Sequence, residues 1–121
     1  MRGRSHYRCT MLIRREQVVD GDEGNPVVWY SSPKLEAAGV AHGFSTRLGG
    51  VSGGVFTSMN LGNPSGCDVQ DSPDCLARNH VRLFSAAGVY GSARHARVHQ
   101  VHGAEVVRVR RGTPHDPHAK A

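Results

Sequence analysis

Residues 27–33 read Val27-Val28-Trp29-Tyr30-Ser31-Ser32-Pro33, a β-branched and aromatic run that stops at two serines and a proline. Branched and aromatic side chains suit a pleated, half-buried surface, so residues 27–30 are expected to form a strand. Ser32 is then placed to cap a helix, Pro33 to occupy its first position and Gly39 to close it after one or two turns over 33–38. A strand running straight into a short helix is the opening of a mixed α/β arrangement.

Downstream, Val40 to Thr46 resumes an extended pattern whose polar and apolar faces are poorly separated. Arg47 to Gly54 holds four glycines in six residues and must be a loop that needs positive φ or a close approach of backbone to something else. Asn60-Leu61-Gly62 is a short extended piece, followed by a turn-rich stretch to Asp71. The clearest helix comes next. Ser72 caps it, Pro73 opens it, and Leu76, Val81, Leu83, Phe84 and Ala87 gather mostly on one side before Gly88. The Val-rich stretches 96–101 and 105–111 flank His102-Gly103 and are expected as two strands or one bent strand. No internal repeat is present.

Upstream, residues 1–26 read as a flexible leader, with Met11-Leu12-Ile13 suited to one edge strand, before a domain over 27–111. Residues 112–121 carry two prolines and no apolar periodicity, and are expected to be disordered. The chain has 121 residues, 38% of them hydrophobic and only 6% aromatic, so the core is expected to be thin and built from Val, Leu and Ala. The net charge of +5 is concentrated near the two ends. No aromatic residues interleave with those arginines as a nucleic-acid stacking platform would need, so nucleic acid is not the expected partner. Three unpaired cysteines, Cys9, Cys67 and Cys75, and the lack of an apolar signal core at the N-terminus predict reduced thiols in the cytoplasm. No run approaches the roughly 18 apolar residues of a membrane span, so no membrane partner is expected.

Three groups of residues could carry chemistry. His102, followed by a residue without a side chain, is either a catalytic metal ligand at a strand end or an ordinary surface or core histidine. With His99 it would point to opposite faces of a strand, so a local two-histidine chelate is not expected, and His95, His115 and His118 have no evident role. Ser45, Thr46 and Arg47 precede the glycine loop. Its successive N–H groups can form an anion nest, and the arginine supplies a planar fork for phosphate or carboxylate; the alternative is a plain hairpin turn. Cys75, beside Asp74 in the first turn of the long helix, is either a dipole-stabilised thiolate or an inert half-buried thiol.

Taken together, His42-Gly43-Phe44-Ser45-Thr46-Arg47, Gly49-Gly50-Val51-Ser52, Ser58-Met59-Asn60-Leu61-Gly62, Asn79 and Gln100-Val101-His102-Gly103 resemble the laccase-domain family. Its members have been called multicopper polyphenol oxidases and are described as zinc-dependent purine nucleoside phosphorylases. The resemblance covers residues 27 to about 111. It implies an α/β (α+β) fold, a mixed sheet with helices in a layered sandwich, present here as an N-terminal half. It also implies phosphorolysis of adenosine, inosine or guanosine, with adenosine deamination in some members, in the cytoplasm. Zinc, or copper in the older description, would be held by His102, by a cysteine in an Ala-Asp-Cys context and by a histidine in a His-Ala-Gly-Trp context.

On this reading His102 and Arg47 are the catalytic residues, His102 is a metal ligand, and Ser45, Arg47, Gly49, Gly50, Ser52 and Gln100 meet substrate or phosphate. The family's cysteine and second histidine follow Gln100–Gly103 and have no counterpart here; Asp74-Cys75 copies only the dipeptide and precedes that motif. The chain is therefore expected to be inactive alone, as a truncated enzyme or as half of a split one whose second chain carries the other ligands. Two readings stand beside this one: a non-enzymatic remnant that binds a partner through an uncovered apolar face and, more weakly, a basic nucleic-acid-binding module.

Overall fold

The computed structural model describes residues 11–89, 96 and 102–112. The chain divides into two compact units, Met1–Tyr90 and Gly91–Ala121. The first unit carries a three-stranded antiparallel sheet and two α-helices, the expected combination of helix and sheet. Its strands are β1 (Ile13–Gln17), β2 (Val27–Ser31) and β3 (Phe44–Ser45), in that spatial order. β1 and β2 pair from Ile13↔Ser31 to Gln17↔Val27, and β2 and β3 pair at Trp29↔Ser45 and Tyr30↔Phe44. The short apolar piece near residue 11 thus leads into an edge strand.

α1 (Pro33–Ala37) begins where its capping signals put it: the Ser32 hydroxyl accepts from the Leu35 N–H and Pro33 takes the first position. Arg15 on β1 ties this helix to the sheet through an ion pair with Glu36 at 2.8 Å. Both side chains are exposed and screened by water, so the pair adds little to stability. Hydrogen bonds from Ser31 and then Arg15 hold the Glu36 carboxyl below its usual range. α2 (Pro73–Ala86) is capped in the same way by Ser72, whose hydroxyl accepts from the Cys75 N–H. None of the described helices is long and apolar enough to cross a membrane.

The core lies between β2 and α2. Val27 and Trp29, two residues apart and so on one face of β2, pack with Val19 and Met59, against which Leu61, Leu83, Ala86 and Ala87 rest. A ring and a thioether therefore fill a core expected from Val, Leu and Ala.

Several expectations are corrected. The strand expected over 40–46 is reduced to Phe44–Ser45, because His42 turns back to bond the Val40 carbonyl and the Ser32 amide instead of joining the ladder. Residues 104–110 form no strand and end in a turn at Arg111–Gly112; Val106 there is 89% exposed, without the covered face that branched residues need. Val81 lies on the solvent side of α2, whose buried positions are Asn79 and Arg82. The stretch 96–101, apart from Ala96, and the tail 113–121 lie outside the described residues, as do residues 1–10.

Candidate functional site

Arg47 follows β3 and is fixed at both ends. Its carbonyl accepts from the Ser58 and Met59 amides, each at 3.0 Å, and from the Ser58 hydroxyl at 2.8 Å. Its guanidinium turns to the same segment and donates from Nε and Nη2 to the Thr57 carbonyl at 3.3 and 3.2 Å. The side chain is exposed, and Nη1 has no partner among the described residues. The result is a cation held against its own loop with one edge of its fork turned outward. Ser45, two residues earlier on β3, is exposed as well.

The glycine loop is folded onto the protein. The Gly50 N–H donates to the Ser58 hydroxyl at 3.1 Å, the Val51 N–H to Asn79 Oδ1 at 2.8 Å and the Ser52 N–H to the Ser58 carbonyl at 3.0 Å. The Gly49 carbonyl accepts from Arg82 Nε at 2.7 Å and the Gly50 carbonyl from Asn25 Nδ2 at 2.9 Å. These three amides are spent inside the fold, while the Arg47 fork faces outward. The two central glycines answer to backbone crowding. A Cβ on Gly49 would lie 2.3 Å from Val27 Cα, and one on Gly50 would lie 1.9 Å from the Ser58 carbonyl oxygen. The close approach expected from the glycine run is thus to the protein's own chain.

Ser52 is buried and sits in a polar network. Its hydroxyl donates to the Asp71 carboxylate and accepts from Asn79 Nδ2 at 2.9 Å. Asp71 also accepts from Asn60 Nδ2 at 3.1 Å and from the Ser72 amide at 2.9 Å. The Ser52 bond is the main cause that holds the Asp71 carboxyl below its usual range; partial burial works against it, and Asn60 and Ser72 work with it. Asn79, fully buried, completes its own set by donating to the Asn60 carbonyl at 2.7 Å. Arg82, one turn on, donates from Nη2 to the Asn25 carbonyl at 2.7 Å and lies 4.0 Å from Asp22.

His102 belongs to the second unit, is exposed, and stands in a bend with Gly103. Gln100, His95, His99, His115 and His118 lie outside the described residues. Among the described residues no group of three or more His, Cys, Asp or Glu side chains is arranged to hold a metal ion. Cys67 is exposed and Cys75 half-buried, both as free thiols.

Sequence reasoning thus picked out Ser52 and the glycines but gave no role to Asp71, Ser58 or Arg82, and quoted Asn79 without one. A signal existed. Asn79 and Arg82 are three residues apart, between the apolar Leu76 and Leu83, so polar side chains stand on the face that should be apolar. Buried polar groups must be bonded, and these two reach into loops.

Residues 41–121 match the family described as multi-copper polyphenol oxidoreductase laccase. The chain is 42% identical over 77 residues to a purine nucleoside phosphorylase of Deinococcus radiodurans, which covers 62% of this chain and 28% of that protein. It is 39% identical over 71 residues to purine nucleoside phosphorylase YfiH of Escherichia coli K12, covering 59% of this chain and 27% of that protein. A purine nucleoside phosphorylase of Mycobacterium tuberculosis is 34% identical over 96 residues, 79% of this chain and 32% of its own. The matches therefore span about a third or less of those relatives. No solved structure gives a significant match.

Proposed function

Because the chain belongs to the multi-copper polyphenol oxidoreductase laccase family, we propose that it supplies part of a purine nucleoside phosphorylase, with Arg47 as the group that meets phosphate. The observation that carries the reading is the Arg47 fork, anchored on the Thr57 carbonyl with Nη1 unpartnered among the described residues, in a chain whose relatives bear that activity's name. A guanidinium offers parallel N–H donors that match two phosphate oxygens, and anchoring its other edge reduces the entropy lost on binding. Ser45 stands two residues away on β3 as a hydroxyl for phosphate or ribose. Gly49, Gly50 and Ser52 support the loop, and Gln100 would meet the nucleoside.

Among the described residues the donors do not by themselves fit a metal. His102 is a single exposed imidazole, and a catalytic zinc site takes about three protein ligands. On this reading His102 is one ligand of a zinc centre completed by a cysteine and a histidine from outside the 121 residues, on a second chain or a continuation. Adenosine, inosine and guanosine are the substrates it would serve, with adenosine deamination at the same centre, in the reducing cytoplasm that suits free Cys67 and Cys75.

The test is phosphorolysis in two parts. The purified 121-residue chain, given inosine and phosphate, is expected to release no hypoxanthine. Co-expressed with a chain carrying the Ala-Asp-Cys and His-Ala-Gly-Trp segments, it is expected to become active, and His102→Ala and Arg47→Ala are each expected to abolish that activity. Activity that survives both substitutions overturns the proposal. A second reading, a partner-binding module, is favoured by the exposed apolar side chains Phe44, Leu48 and Val55, on and just after β3. Stable association with the completing chain but no turnover would select it.

A further inference from the structure

His42 makes two hydrogen bonds that together fix its chemical form. The Ser32 amide donates to its Nε2 at 2.8 Å, and its Nδ1 lies 2.8 Å from the Val40 carbonyl oxygen. A backbone amide only donates and a carbonyl only accepts, so Nε2 must be bare and Nδ1 must carry the proton. The ring is therefore neutral, in the tautomer less favoured by a free histidine. We propose that His42 is a positioning residue, an acid-released latch that joins the start of α1 to the segment delivering Ser45 and Arg47.

The connectivity gives the latch its reach. Ser32 is the α1 cap, so the bond to His42 holds the residue whose hydroxyl and carbonyl start that helix. Two residues beyond His42, Phe44 enters β3 and meets the imidazole edge-on, with ring centres 6.2 Å apart. Arg47 follows three residues later. Among the described residues, Glu36 of α1 interacts electrostatically with the ring, and Arg15 of β1 is paired to Glu36. Glu36 favours a positive ring and Arg15 opposes it. Neither changes the local conflict: a proton added at Nε2 turns the acceptor into a donor aimed at the Ser32 N–H, and one of the two must swing away. Acid that protonates Nε2 then frees the α1 cap from the 40–44 segment.

The latch is independent of whether Arg47 meets phosphate, and its test does not use activity. In the 121-residue chain with nitrogen-15-labelled histidine, nuclear magnetic resonance at neutral pH is expected to show His42 with the proton on Nδ1. On acidification the Ser32 amide is expected to shift, and to exchange with solvent at least about tenfold faster, with the same midpoint as the His42 ring. In His42→Gln the amide oxygen can accept from Ser32 without titrating, so the Ser32 amide is expected to stay protected across about pH 5 to 8, the histidine window. His42→Ala is expected to leave it exchanging fast at every pH. A proton on Nε2 at neutral pH overturns the proposal, as does a Ser32 amide indifferent to the His42 titration. A Gln variant with the wild-type pH response does so too, and keeps the test decisive if the Ala variant fails to fold.

Discussion

Replacing Asn79 with alanine removes three hydrogen bonds at one buried point. The Val51 amide loses its acceptor, and the Asn60 carbonyl and Ser52 hydroxyl lose a donor. Each bond is worth about 1 kcal/mol net, and each buried group left without a partner costs about 1–3 kcal/mol. Ser52 keeps its bond to Asp71, and Val51 is only half-buried and so open to water. The sum is about 3–5 kcal/mol, a large share of the roughly 5–15 kcal/mol that holds a small domain together. Urea unfolding followed by Trp29 fluorescence is the assay, since that ring lies in the core beside α2. With a slope near 1.5 kcal/mol per molar, the midpoint is expected to fall by about 2–3 M. A drop worth less than about 0.5 kcal/mol, the size of a neutral surface change, would show that water replaces the side chain and that the network does not hold the loop.

Other substitutions probe the same region from different sides. Gly50→Ala is expected to lower the melting temperature far more than Gly53→Ala, because a Cβ at 50 meets the Ser58 oxygen at 1.9 Å whereas one at 53 has nothing within 4 Å; equal melting temperatures would refute this. Asp71→Asn is expected to remove an acid-sensitive component of stability. The folded carboxyl titrates below its ordinary value of 3.8, so its contribution is full above that pH and is lost as pH falls through the lower folded value. Comparing urea midpoints of the two proteins between about pH 2 and 7 checks it, and parallel curves would sink it. Arg82→Met is expected to cost about 2–4 kcal/mol in chemical denaturation, since it unbinds the Gly49 and Asn25 carbonyls while keeping the aliphatic packing.

What the sequence made legible was local. Ser32-Pro33 and Ser72-Pro73 announce both helices because capping is settled within four residues of chain. The run 27–30 announces β2 for the same reason. The glycine run announced a loop with a close approach, but not what it approaches. That depends on Asn25, Ser58, Asn79 and Arg82, which stand 8 to 33 residues from their partners in the loop. Val40–Thr46 was misread because His42 found a backbone amide ten residues away, a contact no periodicity encodes. Arg47, read from the sequence as a fork beside the loop, is exposed there, while the polar network behind Ser52 was hidden by the assumption that a helix buries only its apolar residues.

The two buried polar residues of α2 also set an order of events when the chain is made. Arg82 closes over Asn25 across 57 residues, and Asn79 closes over Val51 across 28. A nascent chain that has emerged only as far as residue 71 therefore possesses the whole glycine loop and both strands of the β1–β2 hairpin, yet none of the α2 donors that close them. Long-range closures of this kind come late in folding. The glycine loop is then closed not when its own segment is synthesised but when a helix some thirty residues behind it docks, so a ribosome stalled ahead of α2 would hold a loop without its geometry.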